Sequence, residues 1–518
     1  MSASVRRIPF RVLSSAAEAH LRYLEEDPEL KPFLGMRPRS AEELLATAPV
    51  RARRLVAADA LARSALDYAE RHDAPPSSRD AAAALAEPDT CAVVTGQQPG
   101  LFGGPLYTIH KVATMIRLAR ELQARAGGPR VVPVFWNHTD DHDLDEVNRA
   151  FVVNANMDLQ RIRLDLPHTG APVRDIAVSR GMEQALATLG DLLPKTEFRD
   201  WALEALQPQG PDDSFGAIMT RLLYRCFAAD GLVIIEPRDL PEQAFDVLPR
   251  WAESGNLIRD VVRSSTEHLL DVGLDVTVDP TSTLMFQMTG GRRVPLAEGD
   301  AMPRPTAMSP GVLLRPLWQD ACLPTIATVV GPGELSYLAI AGPLYRQLGV
   351  PAPVFVPRAS LTLVEPSLKK LLNRFGWDLD DLAHGPERLA EALSEDDDHP
   401  IESSLDELTE SIKQRMSELA SQARKVDPQM AAPLERARAK VIDELRKLSG
   451  RVQRARQNRE GTGLRQVRRL CSHLRPRSRL QERVLTPIPF LVAHGEGLSE
   501  AIIAAADPFS LEHGVIEL

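Results

Sequence analysis

Between Cys91 and Trp136 a short β-branched run, CAVVT, breaks into a glycine-rich turn, restarts at Pro105 and ends in a second β-branched run, VVPVFW. Two parallel strands need a crossover of a dozen residues or more, usually a helix, so this stretch has the size and order of one βαβ unit. Within the crossover Leu106, Ile109, Ala113, Ile116 and Leu122 recur at helical spacing. They predict a helix over 105–125 whose apolar face packs on a sheet, leaving Tyr107, His110, Lys111 and Thr114 on the other face. Further strand-like runs follow at Gly231–Pro237, Gly311–Pro316, Pro324–Glu334 and Pro353–Arg358. Near-continuous Val, Ile and Leu, rather than strict alternation, predicts a parallel sheet covered on both faces. The fold class is therefore α/β, with a Rossmann-like parallel-sheet core over residues 1–384 and inserted segments near 155–215 and 280–310.

Before that core, residues 13–72 read as helical, broken at Pro28 and Pro32, with Leu44, Leu45, Leu55, Leu61, Leu66 and Tyr68 as core-facing anchors. Beyond Gly385 the chain turns charged and helical. Leu405, Leu408, Ile412, Met416 and Leu419 keep a spacing of three and four, Asp427-Pro428 interrupts, and Leu434, Ala437, Val441, Leu445, Leu448 and Val452 resume it. This pattern predicts a helical hairpin, a coiled-coil domain over 385–485, with residues 486–518 returning to the core. A length of 518 residues agrees, since one hydrophobic core rarely exceeds about 300.

With 25% charged residues and a net charge of -10, the chain has no overall field for nucleic acid or anionic lipid. No apolar stretch approaches the ~20 residues of a membrane span, and the run after Arg6 and Arg7 is interrupted by Arg11, which is poor for a secretory leader. Cys91, Cys226, Cys322 and Cys471 form no close pair and read as free thiols. The expectation is a cytoplasmic protein without nucleic-acid or membrane partners.

Two clusters carry chemistry. The turn TGQQPGLFGGP, with Gly96, Gly100, Gly103 and Gly104, is neither a phosphate loop with a Lys-Ser or Lys-Thr pair nor a dinucleotide fingerprint. Gln97 and Gln98 add amide donors and acceptors, and Tyr107, His110 and Lys111 follow on the helix. His110 suits acid–base work and Lys111 an anion. The second cluster, NHTDDHDLDEVN, packs His138, Asp140, Asp141, His142, Asp143, Asp145 and Glu146 directly after VVPVFW. Carboxylates this close repel unless a cation, a proton or a substrate ammonium relieves them. A plainer reading makes Asp143 a helix N-cap with Glu146 as its capping-box partner, which leaves Asp141 and His142 unexplained. Adjacent residues seldom ligate one metal together, so no protein-held metal is expected, and Mg²⁺ would accompany a nucleotide. In a parallel sheet the loops after the strands share one edge, where ligands bind. That edge would gather both clusters with Arg315, Glu334 and Arg358.

TGQQPGLFGGPLYTIHK, VPVFW followed by DHDLDEVN, SPGVLLRPLWQD, GPGELSYLAIAGPLYRQLG, and LQERVL followed by Gly495 together resemble the bacillithiol biosynthesis cysteine-adding enzyme (BshC) family, the cysteine ligases. The resemblance runs in order over most of the chain. It implies a Rossmann-like core, a C-terminal coiled coil and a homodimer. It also implies the last step of bacillithiol synthesis, in which cysteine is joined to the amine of glucosaminyl-malate. Since an amide does not form spontaneously from a carboxylate and an amine in water, ATP is the expected activator; an acyl-adenylate and an acyl-phosphate both stay open. Asp141, His142, Asp143 and His110 are then the candidate catalytic residues. Gly96, Gln97, Gln98, Tyr107, Lys111, Arg315, Glu334 and Arg358 are the candidate substrate-binding residues. Where the family often has a glycine-acidic pair before the DHD, this chain has Thr139 and Asp140. Two other readings use the same residues: a nucleotidyl- or glycosyltransferase with Mg²⁺ at Asp141 and Asp143, and a non-catalytic metabolite-binding scaffold.

Overall fold

The computed structural model describes residues 5–13, 17–48, 55–125, 128–154, 156, 158–276, 278–395, 400–426 and 431–518. At its centre lies a five-stranded parallel sheet, in the order Val354–Pro357, Thr325–Val330, Thr90–Gln97, Arg130–Asn137, Val233–Ile235. Thr90–Gln97 pairs along its whole length with Arg130–Asn137, and the helix Tyr107–Gln123 crosses over between them. The β-branched runs form these strands because alternate side chains enter two separate cores. Val93, Phe135 and Ile234 point into one, and Val94, Val134, Trp136, Val233 and Ile235 into the other.

One strand expectation fails. Gly311–Pro316 is not a strand of the central sheet: residues 311–314 turn, and Arg315–Cys322 is a helix with Pro316 in its first turn. A proline with its fixed φ and missing N–H suits the start of a helix, and the apolar Leu313 and Leu314 are buried by that turn. The neighbouring strand, Met308–Pro310, belongs to an antiparallel sheet with Met285–Thr289 and Arg292–Pro295. Arg315 thus reaches the sheet edge from a helix N-terminus, not from a strand end.

The early region forms the helices Glu18–Leu24, Lys31–Leu34, Ala41–Thr47 and Ala58–Arg71. Leu44, Leu61 and Tyr68 are buried there, and Leu45, Leu55 and Leu66 are half-buried. A second sheet, absent from the sequence reading, orders Val5–Pro9, Glu512–Glu517 and Leu361–Val364. Within 155–215 the chain forms the end of the hairpin Arg149–Val153 with Leu159–Arg163, then the helices Ser179–Leu192 and Arg199–Glu204.

Two compact units result: Met1–Lys369 together with Arg479–Leu518, and Lys370–Ser478. The second is dominated by the helices Pro400–Val426 and Ala431–Leu474, which pack on each other. Leu405 is buried there and Ile412, Met416, Leu434 and Leu445 are half-buried, whereas Leu408, Leu419, Val441 and Leu448 are exposed. Asp427 and Pro428, read as the break between these helices, lie outside the described residues. Among the described residues no single helix is long and apolar enough to cross a membrane.

Candidate functional site

A cleft of about 810 Å³ opens at the carboxyl edge of the central strands. Its first wall comes from the glycine-turn strand and helix. Gly96, expected to bind substrate, does not line it, and a Cβ there would lie 2.6 Å from Nε2 of His138. Gly103 and Gly104 adopt φ of +86° and +68°, and a Cβ on Gly103 would strike Leu222 at 2.5 Å, so these glycines serve the turn and its packing. Neither they nor Gly100 line the cleft; Gln97, Gln98, Tyr107 and Lys111 do. Lys111 is buried and already engaged, donating to Gly96 O at 2.8 Å, Gln97 Oε1 at 3.1 Å and Glu334 Oε2 at 2.8 Å. Burial lowers its pKa, and the Glu334 carboxylate opposes that shift.

His110 does not reach the cleft. The helix face expected to be free of the core is covered by the segment around Glu482, and Nδ1 of His110 lies 2.9 Å from Glu482 Oε2. Glu482, itself buried, also accepts from Arg358 Nη2 at 2.6 Å, Ser360 Oγ at 2.9 Å and Leu361 N at 2.9 Å. Burial would raise this carboxylate, yet Arg358 and His110 hold it well below its ordinary range. Arg358 lines the cleft with its guanidinium over the Tyr107 ring at 5.5 Å, anchored from behind by this network.

The acidic loop forms the second wall, with Asp140, Asp141, His142, Asp143, Asp145 and Glu146 all lining the cleft. Its crowding is relieved by arginines from distant segments. Arg174 pairs with Asp140, Arg293 with Asp141 at 3.3 Å, and Arg163 with Asp145 at 3.4 Å. Arg293 is enclosed, lies 3.8 Å over the Phe286 ring, and is lowered by burial to about 10. Nδ1 of His142 is 3.4 Å from both Arg293 Nη1 and Asp141 Oδ1. Unprotonated it accepts from Arg293; protonated it donates to Asp141. Asp143 caps the short helix Leu144–Val147, its Oδ1 accepting from Glu146 N at 3.2 Å. Glu146 presents its carboxylate to the cleft, where desolvation by the walls and then the charges of Asp143 and Asp141 raise its pKa.

Beneath this wall sits a buried platform. Glu236 accepts from Tyr68 Oη and Thr139 Oγ1, each at 2.9 Å, and fixes the start of the loop. Gly216 leaves it room, since a Cβ there would lie 2.7 Å from Thr139 Cγ2 and 2.8 Å from Glu236 Oε1. Arg315 and Glu334 complete the cleft. Arg174, Arg293, Glu236 and Glu482 escaped the sequence reading; only Glu236, ending a strand-like run, and Glu482, inside LQERVL, carried any signal. Among the described residues no group of three or more His, Cys, Asp or Glu side chains could hold a metal ion.

A Rossmann-like sheet bearing this cleft is matched by a known family. Residues 5–359 match the family described as "Bacillithiol biosynthesis BshC, N-terminal Rossmann-like domain", and residues 361–518 match its "C-terminal coiled-coil domain". The chain belongs to the BshC family. Curated BshC relatives carry the name "Putative cysteine ligase BshC". The one from Salinibacter ruber is 30% identical over 499 residues, covering 91% of each chain. That from Koribacter versatilis is 32% identical over 455 residues, 82% of this chain and 84% of its own. That from Heliobacterium modesticaldum is 31% identical over 509 residues, 88% and 90%. The second compact unit is thus part of the BshC coiled-coil domain.

Proposed function

We propose that this chain is a cysteine ligase of bacillithiol biosynthesis, forming an amide between the carboxyl group of cysteine and the amine of glucosaminyl-malate. The observation that carries the reading is the two-walled cleft: on a BshC-type core it sets a carboxylate and imidazole loop opposite cationic side chains, in a volume suited to small molecules. The attacking amine must lose a proton. The His142–Asp141 pair supplies a place for it, because protonated Nδ1 exchanges the Arg293 contact for Asp141. Arg293 and Arg174 pair with Asp141 and Asp140 and orient the loop. Gln97 and Gln98 offer amide groups for substrate hydroxyl and carboxylate oxygens.

ATP supplies the activation of the cysteine carboxyl group when bound. Mg²⁺ would be held by nucleotide oxygens, because Asp141 is engaged with Arg293 and Asp143 with its helix cap. The transferase reading needs those two carboxylates for a metal and is not favoured, and the scaffold reading has no observation of its own. We further infer that the protein works in the cytoplasm on small molecules and as a homodimer, supported by the exposed Leu408, Leu419, Val441 and Leu448 of the two long helices.

Incubation of the purified chain with ATP, cysteine and glucosaminyl-malate should give a thiol product of the condensed mass by mass spectrometry. If a sugar nucleotide added to the same mixture is consumed with no such product, the transferase reading replaces the ligase one.

A further inference from the structure

Lys111, Arg293, Arg315, Arg358 and Arg483 line the cleft. Three are neutralised: Lys111 by Glu334 at 2.8 Å, Arg293 by Asp141 at 3.3 Å and Arg358 by Glu482 at 2.6 Å. Arg483 sits exposed on the rim. Arg315 differs from all of these. It is held by two neutral acceptors, with Nη1 donating to His138 Nε2 at 2.5 Å and Nη2 to Tyr337 Oη at 3.3 Å. Among the described residues no carboxylate lies within 4.0 Å of it.

We propose that His138 is a positioning residue that, with Tyr337, aims Arg315 into the cleft without cancelling its charge, making Arg315 the anchor for a substrate oxyanion, carboxylate or phosphoryl. A guanidinium carries five donors and no acceptor, so any orienting partner must be an acceptor. A carboxylate in that place would orient it equally well but would neutralise it. An imidazole nitrogen orients it and leaves the unit charge for the ligand, where a charge-assisted bidentate contact is stronger than a neutral one.

Three features favour this arrangement. Burial first, then the charges of Arg315 and Lys111, hold His138 well below its ordinary pKa, so the ring remains an acceptor. Tyr337 Oη donates to Glu334 Oε1 at 3.4 Å, which turns its oxygen lone pairs towards Arg315. Gly96 then has a spatial reason: a Cβ there would crowd His138 Nε2 at 2.6 Å and displace the ring. The oxyanion class covers both the carboxylates of a malyl sugar and the phosphoryl groups of an activating nucleotide, and to that extent it rests on the ligase reading.

The test titrates L-malate and inorganic phosphate separately into the full chain by calorimetry, at neutral pH, for the wild type, Arg315→Gln, His138→Glu, His138→Ala and His138→Gln, with melting temperatures recorded. The wild type should bind at least one probe, and which one binds tighter tells carboxylate from phosphoryl. Arg315→Gln and His138→Glu should weaken binding at least about tenfold, the latter by neutralising the guanidinium. His138→Ala should weaken it several-fold, and His138→Gln, which restores a neutral acceptor, should recover it to within about threefold. If His138→Glu melts early, the Ala and Gln pair decides the point. No wild-type binding of either probe, or unchanged binding by Arg315→Gln, overturns the anchor; equal binding by all folded His138 variants overturns the positioning role. Probe binding at Arg315 without amide product would remove the ligase reading and keep the anchor. Product formed by Arg315→Gln at the wild-type KM would do the reverse.

Discussion

The two walls of the cleft neutralise their charges in opposite ways. On the glycine-turn wall Lys111, Arg358 and His110 are buried and meet Glu334 and Glu482, carried by segments that continue or pack on the central sheet. On the acidic wall Asp140 and Asp141 are half-buried, as are Arg174 and Arg293, from the inserted segments, which meet them. A buried pair is costly to break, because removing one partner strands the other without water. A half-exposed pair is cheap to break but sets where a reacting group points. We infer from this that one wall serves the stability of the fold and the other the proposed chemistry.

The largest effect expected from this contrast is at Glu482. Glu482→Ala leaves the Arg358 guanidinium buried and unpaired and should cost roughly 3–5 kcal/mol in urea unfolding. A loss below about 1 kcal/mol would mean that the glycine-turn wall is not built on its buried pairs. Arg293→Ala should do the opposite, lowering product formation roughly 10- to 100-fold by releasing Asp141 and His142 while costing less stability than Glu482→Ala. Equal losses of stability and activity would erase the distinction between the walls.

A pH series sharpens the comparison. His20 is buried beside the glycine-turn framework, and neither ring nitrogen has a hydrogen-bond partner among the described residues. Burial, then the charge of Arg358, lowers its pKa from 6.5 to about 4. The unfolded chain therefore binds the proton more readily, and this contribution is complete above 6.5 and lost as pH falls towards 4. Unfolding at a pH of about 5 should show a loss relative to neutral pH that His20→Leu reduces by about 2 kcal/mol. If His20→Leu leaves the acid dependence unchanged, His20 is not part of its source. Smallest is Asp143→Ala, which removes a cap from a short helix and should cost about 1 kcal/mol. A loss of activity far beyond that of Arg293→Ala would return Asp143 to the catalytic group.

The parallel sheet was legible because its strands are short β-branched runs whose alternate residues fill two cores. The run at Gly311–Pro316 misled because a short apolar stretch looks alike in a buried strand and at a helix start, and Pro316 was the overlooked cue. At the acidic loop the sequence showed that charge relief was needed but not its source, since Arg293 stands 152 positions from Asp141. His110 shows the same limit. Helical periodicity puts it opposite the sheet-facing side, but only the tertiary fold brings Glu482, 372 positions away, to cover it. Arg315 was named from sequence, while its neutral clamp depends on a helix end, a strand end and Tyr337 meeting in space.

The central claim is that the acidic wall handles the proton of amide formation. Its most direct test is the initial rate of thiol product from ATP, cysteine and glucosaminyl-malate, measured by mass spectrometry for the wild type, Asp141→Asn and His142→Ala at matched melting temperatures. The expected result is product from the wild type and a rate at least about a hundredfold lower in both variants. Wild-type rates in both folded variants would contradict it.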